Sequence, residues 1–161
     1  MSEVARIGSQ LKRASEGGAW HGPALLELLA DVSAEQAASR PLAGAHGIWE
    51  IVLHVAAWQG FATRALEGEP MPSNLPEEED WPPVTDAGRE AWRAAVAEVG
   101  EVNRRLRQAL RKLSDDDLER IVDGREYNVY FLLHGVVQHG LYHAGQIALL
   151  KKASSQTQVA G

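Results

Sequence analysis

The chain has 161 residues, 16 Lys and Arg against 22 Asp and Glu, and a formal net charge of −6. That length suits one domain with a single core, and the acidic balance argues against a partner that gathers phosphates, so nucleic acid is set aside. Cysteine is absent, which excludes disulfides, thiolate zinc sites and a cysteine nucleophile.

The start, MSEVARIGSQLKRA, carries no apolar leader-like stretch, and no apolar run approaches the ~20 residues that span a bilayer. A soluble, cytoplasmic protein without a membrane partner is expected. Residues 5–15 read as an amphipathic turn or two, interrupted by Gly17, Gly18, Gly22 and Pro23 and resumed at residues 24–30. Ser33 and Gln36 have capping-box spacing for a short helix. From His46 to about Leu66, the residues Ile48, Ile51, Val52, Val55 and Ala56 follow a helical period.

Residues 68–84, GEPMPSNLPEEEDWPPV, hold five prolines and four consecutive acids and read as a solvated crossover between helices that are not hairpin neighbours. Asp86 or Thr85 would cap the next helix, which runs to about Leu113 with its acids early and its arginines late. Such an order complements the helix dipole and gives the basic run a structural role rather than a nucleic-acid one. Ser114 with Asp117 marks a further short helix that Gly124 closes, and a last long helix is expected from about Asn128 to Lys152, with a frayed tail from about residue 153. The whole reads as all-α, a four-helix bundle. Each of the five tryptophans, Trp20, Trp49, Trp58, Trp81 and Trp92, reads as core or rim packing.

His139 and His143 stand four apart, on one helix face, where two imidazoles can grip one divalent ion. Position 140 is glycine, so no glutamate base stands between them as in HExxH. His54, inside the apolar run IVLHVAAW, is the best third ligand, although a hydrogen-bonded core histidine has the same pattern. Glu50, one turn before it, reads as a fourth ligand, an acceptor for a ligand's N–H or a charged flank. His134 is rotated roughly 140° from His139 and should not join the ion. His46 falls at a helix start, and His21 in a Gly/Pro-rich connector reads as solvated. Gly135, Gly140 and Gly145 are expected to let another helix approach closely. Gln146 can hydrogen-bond a ligand, and Tyr142 reads as a pocket hydroxyl or a core residue.

The segments HGIWEIVLHVAAWQ (46–59) and LLHGVVQHGLYHAGQIALLKK (132–152), with AWHGPALLELLADVSAEQAASRPL (19–42), resemble the DinB-like family of YfiT-like, damage-inducible metalloproteins over nearly the whole chain. The resemblance implies a four-helix bundle of up-down-down-up connectivity and a metal triad of His54, His139 and His143. It also implies orienting, cofactor-side roles for Tyr142 and Gln146, and a homodimer. The ion would be zinc, nickel, iron or manganese. Characterised relatives include thiol-dependent S-transferases and isomerases, in which the metal activates a small-molecule thiol toward an electrophilic substrate. A metal-dependent hydrolase of a small ester or amide, or a metal-binding stress protein without turnover, are the alternatives, and no catalytic residue is assigned.

Overall fold

The computed structural model describes residues 1–72 and 75–159, with the side chains up to Ser154 outside that gap. Seven α-helices are present among the described residues: α1 (Glu3–Glu16), α2 (Leu25–Leu29), α3 (Ala34–Ala38), α4 (Ile48–Leu66), α5 (Glu77–Asp80), α6 (Arg89–Leu110) and α7 (Val129–Val159). A 3-10 turn at Asp116–Glu119 follows α6. The four long helices form the expected bundle, and the three short ones occupy its connections, so the fold is all-α but more than four helices. The first helix is a full fourteen-residue element rather than a turn or two, because Ser2 accepts from the Ala5 N–H and opens it earlier than expected. The end of the expected frayed tail, residues 160 and 161, lies outside the described residues. So do Ser73 and Asn74 of the crossover.

Directions follow from which residues meet. The first turns of α4 and α6 meet at Trp49 and Trp92, whose rings lie 5.1 Å apart, and further on Phe61 and Arg64 share a groove with Gln108 and Ala109. Those two helices therefore run parallel, which requires the long crossover. His54 meets His143 while Trp58 meets His139, so α7 runs antiparallel to α4. Gly8 faces Leu110 and Glu16 pairs with Arg107, so α1 runs antiparallel to α6. With α1 up, α4 and α6 are down and α7 is up.

The buried apolar residues fall into two clusters. One gathers Ile7, Leu11, Phe61, Leu106, Leu110 and Leu133; the other gathers Leu25, Leu29, Ile48, Val52, Val55, Trp92, Val99 and Ile147. On α4, α6 and α7 a polar residue stands where one cluster gives way to the other, Gln59, Asn103, and His139 with His143, and on α1 Ser15 follows the last member of the first cluster. Hydrophobic burial on both sides thus fixes the height of this polar layer in the bundle.

Local signals hold with corrections. Ser33 accepts from the Gln36 N–H as a cap should, but the Gln36 side chain reaches Ser154 on α7 instead of closing the box. Helix α6 starts after Gly88, and Asp86 serves by accepting from the Gly88 N–H at 2.7 Å. Its basic half is paired: Arg104 with Glu101, Arg105 with Glu98, and Arg107 with Glu16 and Asn103. Trp20 is 101% exposed, contrary to a packing role. A Cβ on Gly135, Gly140 or Gly145 would meet nothing within 4 Å, so these glycines do not serve close helix packing within the chain.

Gly124, at φ +68°, is where a side chain would strike backbone, because its Cβ would lie 2.9 Å from the Met71 carbonyl oxygen. Gly124→Ala should cost about 1–3 kcal/mol, combining left-handed strain with that contact. Gly44→Ala, at φ +75° in open space, should cost less. Urea midpoints for the two variants check this, and equal losses would show that the Met71 contact carries no energy.

Candidate metal centre

His54 projects from α4 into the interface with α7, where His139 and His143 stand one turn apart. His139 Nε2 lies 2.9 Å from His54 Nε2 and 3.1 Å from His143 Nε2, and one nitrogen from each of the three rings lies within 4.8 Å of the others. His54 and His143 are each only 5% exposed, and His139 is half-buried.

The outer nitrogens decide what the inner ones can do. His54 Nδ1 is 2.6 Å from the Asp80 carbonyl oxygen, which can only accept, so Nδ1 carries the hydrogen. His143 Nδ1 is 2.6 Å from Gln146 Oε1 and donates likewise. In the neutral rings, both Nε2 atoms then present bare lone pairs toward His139. His139 Nε2 has at most one hydrogen and can serve only one of them, at 2.9 or 3.1 Å, leaving the other lone pair without a donor.

A shared cation removes that conflict. Protonation is disfavoured: burial, then the imidazoles of His143 and His54, lower the His139 pKa to about 3. Burial also lowers His54, against the Asp80 carbonyl and carboxylate, and lowers His143 against its bond to Gln146. Three neutral imidazoles, those of His54 and His143 with their outer N–H groups anchored, are the donor set a divalent transition ion takes, so the residues fit such an ion.

The acidic crossover covers this centre, which the reading of it as a solvated linker missed. α5 places Asp80 so that its carbonyl takes His54 and its carboxylate accepts from Trp58 Nε1 at 2.7 Å. Trp81 stacks flat on His54, centroids 3.8 Å apart, and its opposite face stacks on His46 at 3.6 Å. A tryptophan inside a run of acids and prolines was the available signal, since a solvated linker has no use for so large an apolar ring.

The remaining candidates separate cleanly. Glu50 is not a ligand: Oε2 accepts from the Gly47 N–H at 2.8 Å to cap α4, and Oε1 holds Arg40. His134 lies away from the triad and packs on Tyr130 at 4.3 Å. His21 is exposed. Tyr142 is 66% exposed, with its ring 5.1 Å from that of His143. Tyr142, Gln146, His46, Trp81 and His143 line one cleft of about 390 Å³, and His139 with Trp58 lines a second of about 220 Å³. The triad thus stands between two openings.

A family model described as the DinB superfamily matches residues 19–147. The chain belongs to the DinB superfamily, and the match covers both histidine segments and the crossover between them. No curated protein and no solved structure matches the chain. No helix is long and apolar enough to cross a membrane among the described residues.

In the metal-free protein the depressed histidines make stability fall with acid. An unfolded chain takes up protons near pH ~6.5, whereas folded His139 does so only at about 3, so acidification between those values favours unfolding. The urea midpoint should drop from about pH 7.5 to about pH 5, a window above ordinary carboxylate titration, and drop less in His139→Asn. A midpoint that is flat across this window would contradict burial of neutral imidazoles.

Proposed function

We propose that the chain is a single metal-binding domain in which His54, His139 and His143 hold one divalent ion, and that it acts as a thiol-dependent S-transferase or isomerase. The observation that carries the metal reading is the convergence of three Nε2 atoms, with the outer N–H groups of His54 and His143 committed to Asp80 and Gln146. Zinc, nickel, iron and manganese all accept neutral imidazoles, and supply decides among them. When bound, such an ion lowers the pKa of a coordinated thiol and holds it as a thiolate at neutral pH.

The chain's own residues supply the rest. With no cysteine present, any thiol comes from a small molecule. Tyr142 and Gln146 line the cleft at His143, and we assign them to positioning the polar part of that thiol. Trp81 and the Asp80 segment cover His54 and limit water there. A hydrolase would use metal-bound water as its nucleophile and gain from a carboxylate to move its protons. The nearest carboxylate, Asp80, is already engaged with Trp58 and His54, which supports the thiol reading over ester or amide hydrolysis. A homodimer and a cytoplasmic location complete the reading, the latter because small thiols stay reduced there.

Cobalt(II)-loaded protein titrated with low-molecular-weight thiols tests the proposal. A new near-ultraviolet sulfur-to-metal absorption, followed by consumption of an electrophile such as an aryl halide, is expected. Absence of the band with every thiol, alongside ester hydrolysis, would establish the hydrolase instead; absence of both leaves a metal-binding protein without turnover. Gln146→Leu should weaken zinc binding by about 10- to 100-fold, as loss of a ligand's outer hydrogen bond does. Competition with a chromogenic chelator measures it, and unchanged affinity would remove Gln146 from the orienting role.

A further inference from the structure

The cleft beside His139 differs from the one beside His143 in chemistry. Its walls are Trp58, Tyr127, Phe131, Val136 and Leu132, with His139 at the inner end, and no charged residue lines it among the described residues. Its volume is about 220 Å³. An apolar cavity of about 150 Å³ already holds a benzene, so this one has room for one or two fused rings. His139 and Trp58 are the residues of the lining that carry a ring nitrogen.

Gly135 lies on α7 one turn before His139 and forms part of the wall. A Cβ there would meet nothing within 4 Å. Glycine in a helix interior costs up to about 1 kcal/mol relative to alanine, and here no neighbouring atom demands it. What its missing side chain leaves is open space on the cleft side of the helix, continuous with the triad. Phe131, 63% exposed one turn earlier, stands at the same rim and offers a ring face.

We propose that this cleft seats an uncharged aromatic portion of the electrophilic substrate, with Gly135 keeping it open, while the polar thiol enters on the His143 side. The inference rests on the transferase reading and assigns its second substrate a chemical class. Trp58 and Phe131 stack on or abut the ring, as aromatic side chains do at 4.5–7 Å centroid separations, roughly. Access from opposite sides of the triad lets the two substrates bind together.

The test uses the full-length, zinc-loaded protein and calorimetric titration with naphthalene and with 2-naphthoate, its anionic counterpart of the same ring size. Naphthalene should bind wild type and be favoured over naphthoate. Gly135→Leu, whose Cβ meets no atom within 4 Å and whose added side chain takes up cleft space, should weaken naphthalene on the order of ten-fold or more with zinc content unchanged. Tyr142→Ser, in the other cleft, should bind naphthalene like wild type, and circular dichroism checks the fold of each variant. No naphthalene binding by wild type, equal binding by Gly135→Leu, or a preference for naphthoate would each overturn the proposal. So would a wild-type dimer in sedimentation that Gly135→Leu converts to monomer, since the cleft would then be covered by a second copy. Loss of zinc from wild type with naphthalene binding retained would sink the metal reading alone.

Discussion

The constraint on which the structure turns is the convergence of imidazole lone pairs between α4 and α7. Three neutral rings approach through Nε2, and two outer nitrogens are held, that of His54 by a backbone carbonyl at Asp80 and that of His143 by the amide oxygen of Gln146. Left alone, that arrangement leaves at least one buried imidazole lone pair without a donor, an unfavourable use of a polar group. It becomes favourable once a cation lies among them. The folded chain thus carries a local cost that ligand binding removes, and binding of this kind adds directly to stability.

Much of the remaining architecture positions those rings. Parallel α4 and α6 force a long crossover, and the crossover returns Asp80 and Trp81 over the histidines. The two apolar clusters grip the helices above and below the polar layer, which restrains sliding of α7 against α4. Trp81 lies between His46 and His54 like a plate between two others. Its position ties the rim of the larger cleft to His54, so a molecule that displaces the tryptophan would also touch the support of that ring.

The helices themselves were legible from period and punctuation, because apolar stripes and Gly/Pro breaks act locally. The His139/His143 pair was legible for the same reason: a four-residue spacing on one helix defines a common face. His54 stood out in its apolar run as the best third ligand, but spacing says nothing about which helices face each other, and the triad as a set came from the family resemblance. Trp81 read as core or rim packing with no link to the histidines, and Asp80 escaped because composition made the acidic run read as solvent-facing, whereas contacts distant in sequence decide its place. Glu50 shows the converse. Its spacing from Gly47 is that of a helix-start cap, a local role that accounts for the carboxylate without any metal. The α7 glycines read as contact points for a neighbouring helix, yet they border open space, a distinction that only the packed structure draws.

Elemental analysis of untagged protein, for wild type and for His54→Ala, His139→Ala and His143→Ala confirmed folded by circular dichroism, tests the central claim most directly. The convergent lone pairs predict close to one transition-metal ion per chain in wild type and loss of it in all three variants. Wild-type protein that is metal-free and takes up no ion on reconstitution would contradict the account and leave the three histidines as buried core residues.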